Sequence, residues 1–129
     1  HQNKNFKIFG NNHPTPDGTC IRDYVHVMDV AEANLKALAY SRDNSEFQVF
    51  NIGSSVPTSN LEIINAVQKH VGKIGTEVVD ARDGDLSYSL ADISKAKEIL
   101  DWYPTQGSID NIVASAVKWY NMTHKREIQ

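Results

Sequence analysis

The sequence predicts an α/β fold with a sheet that is at least partly parallel. Residues 47–52 (FQVFNI) are mostly apolar and end at Gly53, as expected of a strand covered on both faces. Segments opening at Ser59 and Ser108 repeat apolar residues at helical spacing. Strands and helices follow one another as β-β-α-β-α-β-α-α, and a strand–helix–strand crossover makes its two strands parallel. Only residues 47–52 make a strong buried strand, so its neighbours are expected to lie outside this chain.

Taken in order, residues 6–9 form a strand ending at Gly10. The polar stretch 11–19 is an irregular loop, because Pro14 and Pro16 lock φ and Gly18 permits positive φ. Residues 20–27 (CIRDYVHV) alternate with period two. That puts Arg22, Tyr24 and His26 on one face of a strand and Ile21, Val25 and Val27 on the other. Asp29 with Glu32 three positions on reads as the cap of a helix reaching about Tyr40, through Ala31, Ala33, Leu35, Ala37 and Leu38. A polar loop, 41–46, leads to the 47–52 strand. Ser59 and Glu62 repeat the capping-box pattern, and Leu61, Ile64, Val67 and Val71 carry a helix to Gly72. Residues 76–80 are a short strand and 82–85 (RDGD) a loop. Asp92 caps a helix through Leu100, which ends before Tyr103-Pro104. Ser108 caps the last helix, whose Ile109, Ile112, Val113, Ala116, Val117 and Tyr120 make one apolar stripe.

At 129 residues the chain is one domain or a piece of one. A formal net charge of −3, with basic residues scattered, argues against a nucleic-acid or anionic-membrane surface. The one dense basic pair, Lys125-Arg126, lies in what reads as a frayed tail. Cys20 is the sole cysteine, which excludes an intrachain disulfide and a cysteine-based zinc site and makes a reducing, cytoplasmic setting the default. No apolar run is long enough to span a membrane, and the start shows no signal-peptide pattern. The chain opens almost directly on a strand without an initiating methionine, which suggests a fragment.

Two segments could carry chemistry. Arg22 follows a preset loop, where its planar fork suits a phosphate, although a strand arginine paired with Asp23 or Asp29 fits equally. In the RDGD loop Arg82 could hold a phosphate and Asp85 a ribose diol; the same four residues also make an ordinary surface turn. His26 has no partner at ligand or triad spacing and reads as structural. Asp29 reads first as a helix cap.

Four blocks, in order, narrow these readings. They are IFG through PTPDGTCIRDYVHV to Asp29 (8–29), Asn51-Ile52-Gly53, Arg82-Asp83-Gly84-Asp85, and Ala91-Asp92-Ile93-Ser94-Lys95-Ala96. Together they resemble the UDP-glucose 4-epimerases, a branch of the extended short-chain dehydrogenase/reductases, across nearly the whole chain. The resemblance implies the C-terminal, substrate-binding portion of that fold, residues 1–129. Residues 28–53, one helix and one strand, would belong to the sheet of an NAD-binding domain that is missing here. It implies that Arg22 and Arg82 grip the pyrophosphate of a UDP-sugar, that Asp85 accepts from ribose hydroxyls, and that Phe9 lines the uracil pocket. Tyr24 lies close by, either as a direct contact or as a half-buried strand tyrosine. Asn60 stands near the nucleotide in the family, but also fits as a first-turn helix residue. Ser89 falls where relatives carry either a tyrosine or a small residue beside the sugar, and a small one leaves room for an N-acetyl group. UDP-glucose, UDP-galactose and UDP-N-acetylhexosamines are thus the implied ligands, NAD the implied cofactor, and a homodimer the implied whole enzyme.

Such enzymes oxidise the sugar at C4 by hydride transfer to NAD, turn the 4-keto intermediate, and return the hydride to its other face. That chemistry needs a GxxGxxG turn and a Tyr-x-x-x-Lys pair. No three glycines here have the spacing, and none of Tyr24, Tyr40, Tyr88, Tyr103 and Tyr120 has a lysine four positions on. The chain is therefore expected to bind substrate and to be inactive alone. Another nucleotide-sugar epimerase or dehydratase, or a non-catalytic nucleotide-binding module, are the rival readings.

Overall fold

Eight elements are seen in the computed structural model, which describes residues 5–124; the Lys125-Arg126 tail lies outside the described residues. They are β1 (Phe6–Phe9), β2 (Ile21–Asp23), α1 (Val27–Asp43), β3 (Pro57–Ser59), α2 (Asn60–Val71), β4 (Thr76–Val79), α3 (Ser94–Leu100) and α4 (Ile109–His124). β1 pairs with β4 in parallel, Phe6 opposite Thr76, and β2 pairs with β3 antiparallel, Arg22 opposite Thr58. A third backbone segment joins β2 from its other edge: Ile21 N–H donates to Ser87 O at 2.9 Å and Ser89 N–H to Ile21 O at 3.1 Å. The order of element types matches the expected one, but its third strand is a different segment.

Residues 47–52 are not a strand. Their burial nonetheless alternates with period two: Phe50 and Ile52 pack on the core while Phe47 and Val49 stand 89% and 61% exposed. A run with no backbone hydrogen-bonding partner among the described residues makes no ladder, whatever its propensity. β3 escapes notice in the sequence because three residues with a leading proline carry almost no strand signal.

The second correction concerns residues 24–27 and Asp29. β2 stops at Asp23, and α1 begins at Val27 with His26 as its cap, its Nδ1 accepting from Met28 N–H at 3.1 Å. Asp29 is instead a buried clamp. Its carboxylate accepts from Thr105 N–H and hydroxyl at 3.0 and 3.1 Å and from Gln106 N–H at 3.0 Å. A carboxylate with three N–H and O–H donors in place is worth more there than at a helix end, which His26 can satisfy. The helix also runs past Tyr40 to Asp43, consuming half of the expected loop. α3 starts at Ser94, with Asp92 accepting from Ser94 N–H at 3.0 Å while Ile93 occupies the cap position without a side-chain bond.

The core sits where α3 crosses α1. Ala33, Ile93, Ala96, Leu100 and the fully buried Trp102 form it, with Ala37, Tyr40 and Phe50 packed around. The Trp102 indole N–H donates to Asp29 O at 3.0 Å, so the one polar atom of this large side chain is satisfied. α2 packs on α4, and its capping box is complete: the Ser59 hydroxyl accepts from Glu62 N–H and the Glu62 carboxylate from Ser59 N–H. Gly72, with φ of 80°, ends α2 as expected. Among the described residues no helix is long and apolar enough to cross a membrane.

Candidate functional site

The loop between β1 and β2 is built by its own side chains. Asp17 accepts from Thr19 N–H and hydroxyl at 2.9 and 2.8 Å and from the Ser59 hydroxyl, which ties the loop to the start of α2. Burial pushes the Asp17 carboxyl up, but the bonds from Ser59 and Thr19 outweigh it and hold it below the ordinary carboxylate value. Gly18 sits at φ of 78°, where a Cβ would collide with the Asn11 carbonyl, so the turn needs glycine. Beneath it the buried Cys20 thiol lies 3.4 Å from His13 Nε2, and His13 Nδ1 lies 3.0 Å from the Ser87 hydroxyl.

This loop delivers Arg22 to the mouth of a cavity of about 500 Å³. Arg22 Nη1 donates to the Ile21 and Leu86 carbonyls at 2.9 and 2.7 Å, and Nη2 lies 3.9 Å from Asp85. Neither Asp23 nor Asp29 pairs with it. Asp23 accepts instead from Ser54 N–H and hydroxyl, Ser55 N–H and Ala91 N–H, locking β2 to two neighbouring turns. Gly53 makes that approach possible, because a Cβ there would strike the Asp23 carboxylate.

From the far end of the chain the turn after β4 brings Arg82 and Asp85 to the same cavity. Arg82 grips Asp85 with Nε at 3.0 Å and Nη2 at 3.2 Å, and its guanidinium lies 4.4 Å above the Phe9 ring. The RDGD segment is thus a turn closed by its own ion pair, with the cation and the carboxylate side by side on the cavity. Tyr24 completes the lining and donates to Asn60 Oδ1 at 3.2 Å. Burial pushes the Tyr24 phenol up against the opposing pull of Arg22, so it stays a neutral donor.

Five of the six candidate residues therefore meet: Phe9, Arg22, Tyr24, Arg82 and Asp85. Ser89 does not join them. It is exposed in an adjoining cavity of about 490 Å³, lined also by Arg22, Asn51 and Ile52. Asn60 does line the first cavity, as does Lys7. Lys7 escaped the sequence reading, since one lysine on an edge strand looks like ordinary solubility. Among the described residues no cluster of side chains could hold a metal ion. What the site can do chemically is bind: two guanidiniums for phosphates, an aromatic face for a planar ring, and a carboxylate for hydroxyls.

Comparison with known proteins finds matches in both sequence and fold. Residues 1–53 match the NAD-dependent epimerase/dehydratase family. In sequence and fold the chain shares the α/β class of those proteins, over part of their length. The UDP-glucose 4-epimerases are the members it resembles: that of Streptococcus mutans is 45% identical over 115 residues, which are 88% of this chain and 34% of the relative. The Stenotrophomonas maltophila UDP-glucose 4-epimerase, solved with bound NAD and a formylated UDP-arabinopyranose, superposes with a TM-score of 0.87 at 34% identity, covering 95% of this chain and 36% of that one. The UDP-Glc/GlcNAc 4-epimerase of Campylobacter jejuni does so with a TM-score of 0.81 at 38% identity, covering 92% and 36%. The chain spans about a third of the length of the curated relatives it matches, and the resemblance read from the four sequence blocks holds.

Proposed function

We propose that this chain is the C-terminal, UDP-sugar-binding portion of an NAD-dependent UDP-glucose 4-epimerase, a cytoplasmic enzyme of galactose metabolism that interconverts UDP-glucose and UDP-galactose. The carrying observation is the convergence of Arg22 and Arg82 on one cavity with Phe9, Tyr24 and Asp85, from segments far apart in sequence. On this reading the guanidiniums hold the pyrophosphate, Phe9 flanks the base, and Asp85 meets the ribose hydroxyls. Binding by the UDP handle orients the sugar for chemistry carried out elsewhere in the enzyme. The described residues form two two-stranded sheets and the sequence has no glycine-rich dinucleotide turn, so no residue of this chain is assigned to NAD. For the same reason the chain alone is inactive.

Calorimetric titration with UDP tests the reading. Heat of binding is expected for the chain and is expected to fall at least about thirty-fold in affinity in Arg22→Ala and in Arg82→Ala, the loss typical of truncating a charged partner. Equal binding by all three proteins would sink it.

Residues 28–53 are read as the part that packs with the NAD-binding domain, in a whole enzyme that is a homodimer. Ser89, beside Arg22 in the adjoining cavity, is read as the residue that leaves space for an N-acetyl group, which extends the substrates to UDP-N-acetylhexosamines. In the whole enzyme Ser89→Tyr should then abolish turnover of the acetylated sugar and spare UDP-glucose; loss of both, or of neither, refutes the assignment.

A further inference from the structure

The cavity's charged lining is three cations, Lys7, Arg22 and Arg82, against one carboxylate, Asp85. Asp85 lies between the two arginines, bound bidentately by Arg82 and 3.9 Å from Arg22. It is also held in place by the backbone, since Asp85 N–H donates to Arg82 O at 3.2 Å across a turn with Gly84 at φ of 82°. Its side chain is only 17% exposed against 61% for Arg82. The arginines are not used up by it: Arg82 is engaged through Nε and Nη2 and Arg22 through Nη1, so Nη1 of the first and Nη2 of the second keep donors for a ligand.

From this we infer that Asp85 sets the charge the site accepts. It cancels one of the three positive charges and leaves two. A diphosphate esterified at both ends, as in a nucleotide sugar, carries about two negative charges at neutral pH, while a free nucleoside diphosphate or pyrophosphate carries about three, because an unesterified terminal phosphate adds a further ionisation near pH 6. Asp85 therefore favours the doubly esterified ligand by repelling the surplus charge of the others, in addition to any contact it makes with hydroxyls. The inference rests on the reading of the cavity as a nucleotide-sugar site.

Calorimetry with inorganic pyrophosphate and with UDP-glucose separates the two. Asp85→Asn keeps the shape and removes the charge. It is expected to raise the affinity for pyrophosphate about five-fold, the scale of a partly exposed ion pair, and that for UDP-glucose by clearly less. Asp85→Glu keeps the charge and should keep the original preference. Should Asp85→Asn fail to fold, Asp85→Ser serves the same comparison. Unchanged or weaker pyrophosphate binding in the uncharged variant, no pyrophosphate binding in any protein, or a Glu variant that behaves like the Asn one would each overturn the inference. If the pyrophosphate pattern holds while UDP-glucose binds to none of the proteins, it is the nucleotide-sugar reading alone that fails.

Discussion

Asp23 shows how one side chain can replace a stretch of sheet. Its carboxylate accepts from Ser54 N–H and hydroxyl at 2.6 and 2.7 Å, from Ser55 N–H at 3.2 Å and from Ala91 N–H at 3.1 Å. Burial pushes its carboxyl up, but these bonds outweigh burial and hold it below the ordinary value of 3.8. Asp23→Ala should cost about 3 kcal/mol at pH 7, because it strands three backbone N–H groups that a charged acceptor had satisfied. The pH dependence has a definite sign. A carboxylate depressed in the folded state stabilises fully above its unfolded pKa, and that contribution fades as pH falls from about 4 through the lower folded value. Urea unfolding of the two proteins should therefore differ most at neutral pH and converge in acid; a gap that widens in acid would refute the assignment. Asp23 was not legible in the sequence as such a hub. Its partners lie 31 and 68 positions away, and nothing local marks a carboxylate whose donors arrive from two distant turns. Arg22, by contrast, was legible through its loop and family block.

Among the elements, the helices were legible and the strands only in part: β1 and β4 were, while β2 is shorter than its alternation suggests. A helix announces itself within a few residues, through caps and the 3.6-residue period. Thus Ser59 with Glu62 and Gly72 marked α2 at both ends, and Ser108 marked α4, where its hydroxyl accepts from Asn111 N–H at 3.2 Å. Strand identity depends on a partner, so the apolar run 47–52 misled and the three-residue β3 passed unseen. Ser59→Ala should cost about 2 kcal/mol, the upper range for a cap, since the hydroxyl also bonds Asp17 and thereby fixes the loop that presents Arg22. Chemical denaturation measures the loss, and UDP affinity should fall with it. At the other junction, Trp102 joins α3 to α1 with no exposed surface and one hydrogen bond. Trp102→Ala should cost about 4 kcal/mol, in the range for deleting a buried aromatic, and should appear as a large drop in the denaturation midpoint.

Across the whole molecule, large apolar side chains stand uncovered on α1 and on the run that follows it. Leu35 and Leu38 on α1 stand 68% and 57% exposed, and Phe47 and Val49 on the unpaired run after it are also uncovered, as the sequence led one to expect. Exposed apolar side chains of this size drive association. Sedimentation of the isolated chain should therefore show species heavier than its 14.4 kDa, and the double substitution Phe47→Ser with Val49→Thr should shift it towards the monomer. A monodisperse wild-type monomer would count against the proposed packing role of residues 28–53. Elsewhere distant parts of the chain meet: β1 pairs with β4 across about seventy positions, and the cavity exists only once that pairing has formed. A chain that has not joined its two ends has no place for a ligand to sit. Any molecule that fits the cavity therefore selects finished chains from unfinished ones, and its melting temperature should climb with ligand concentration as mass action requires. The long loop closure that slows assembly thereby makes binding a readout of whether assembly is complete.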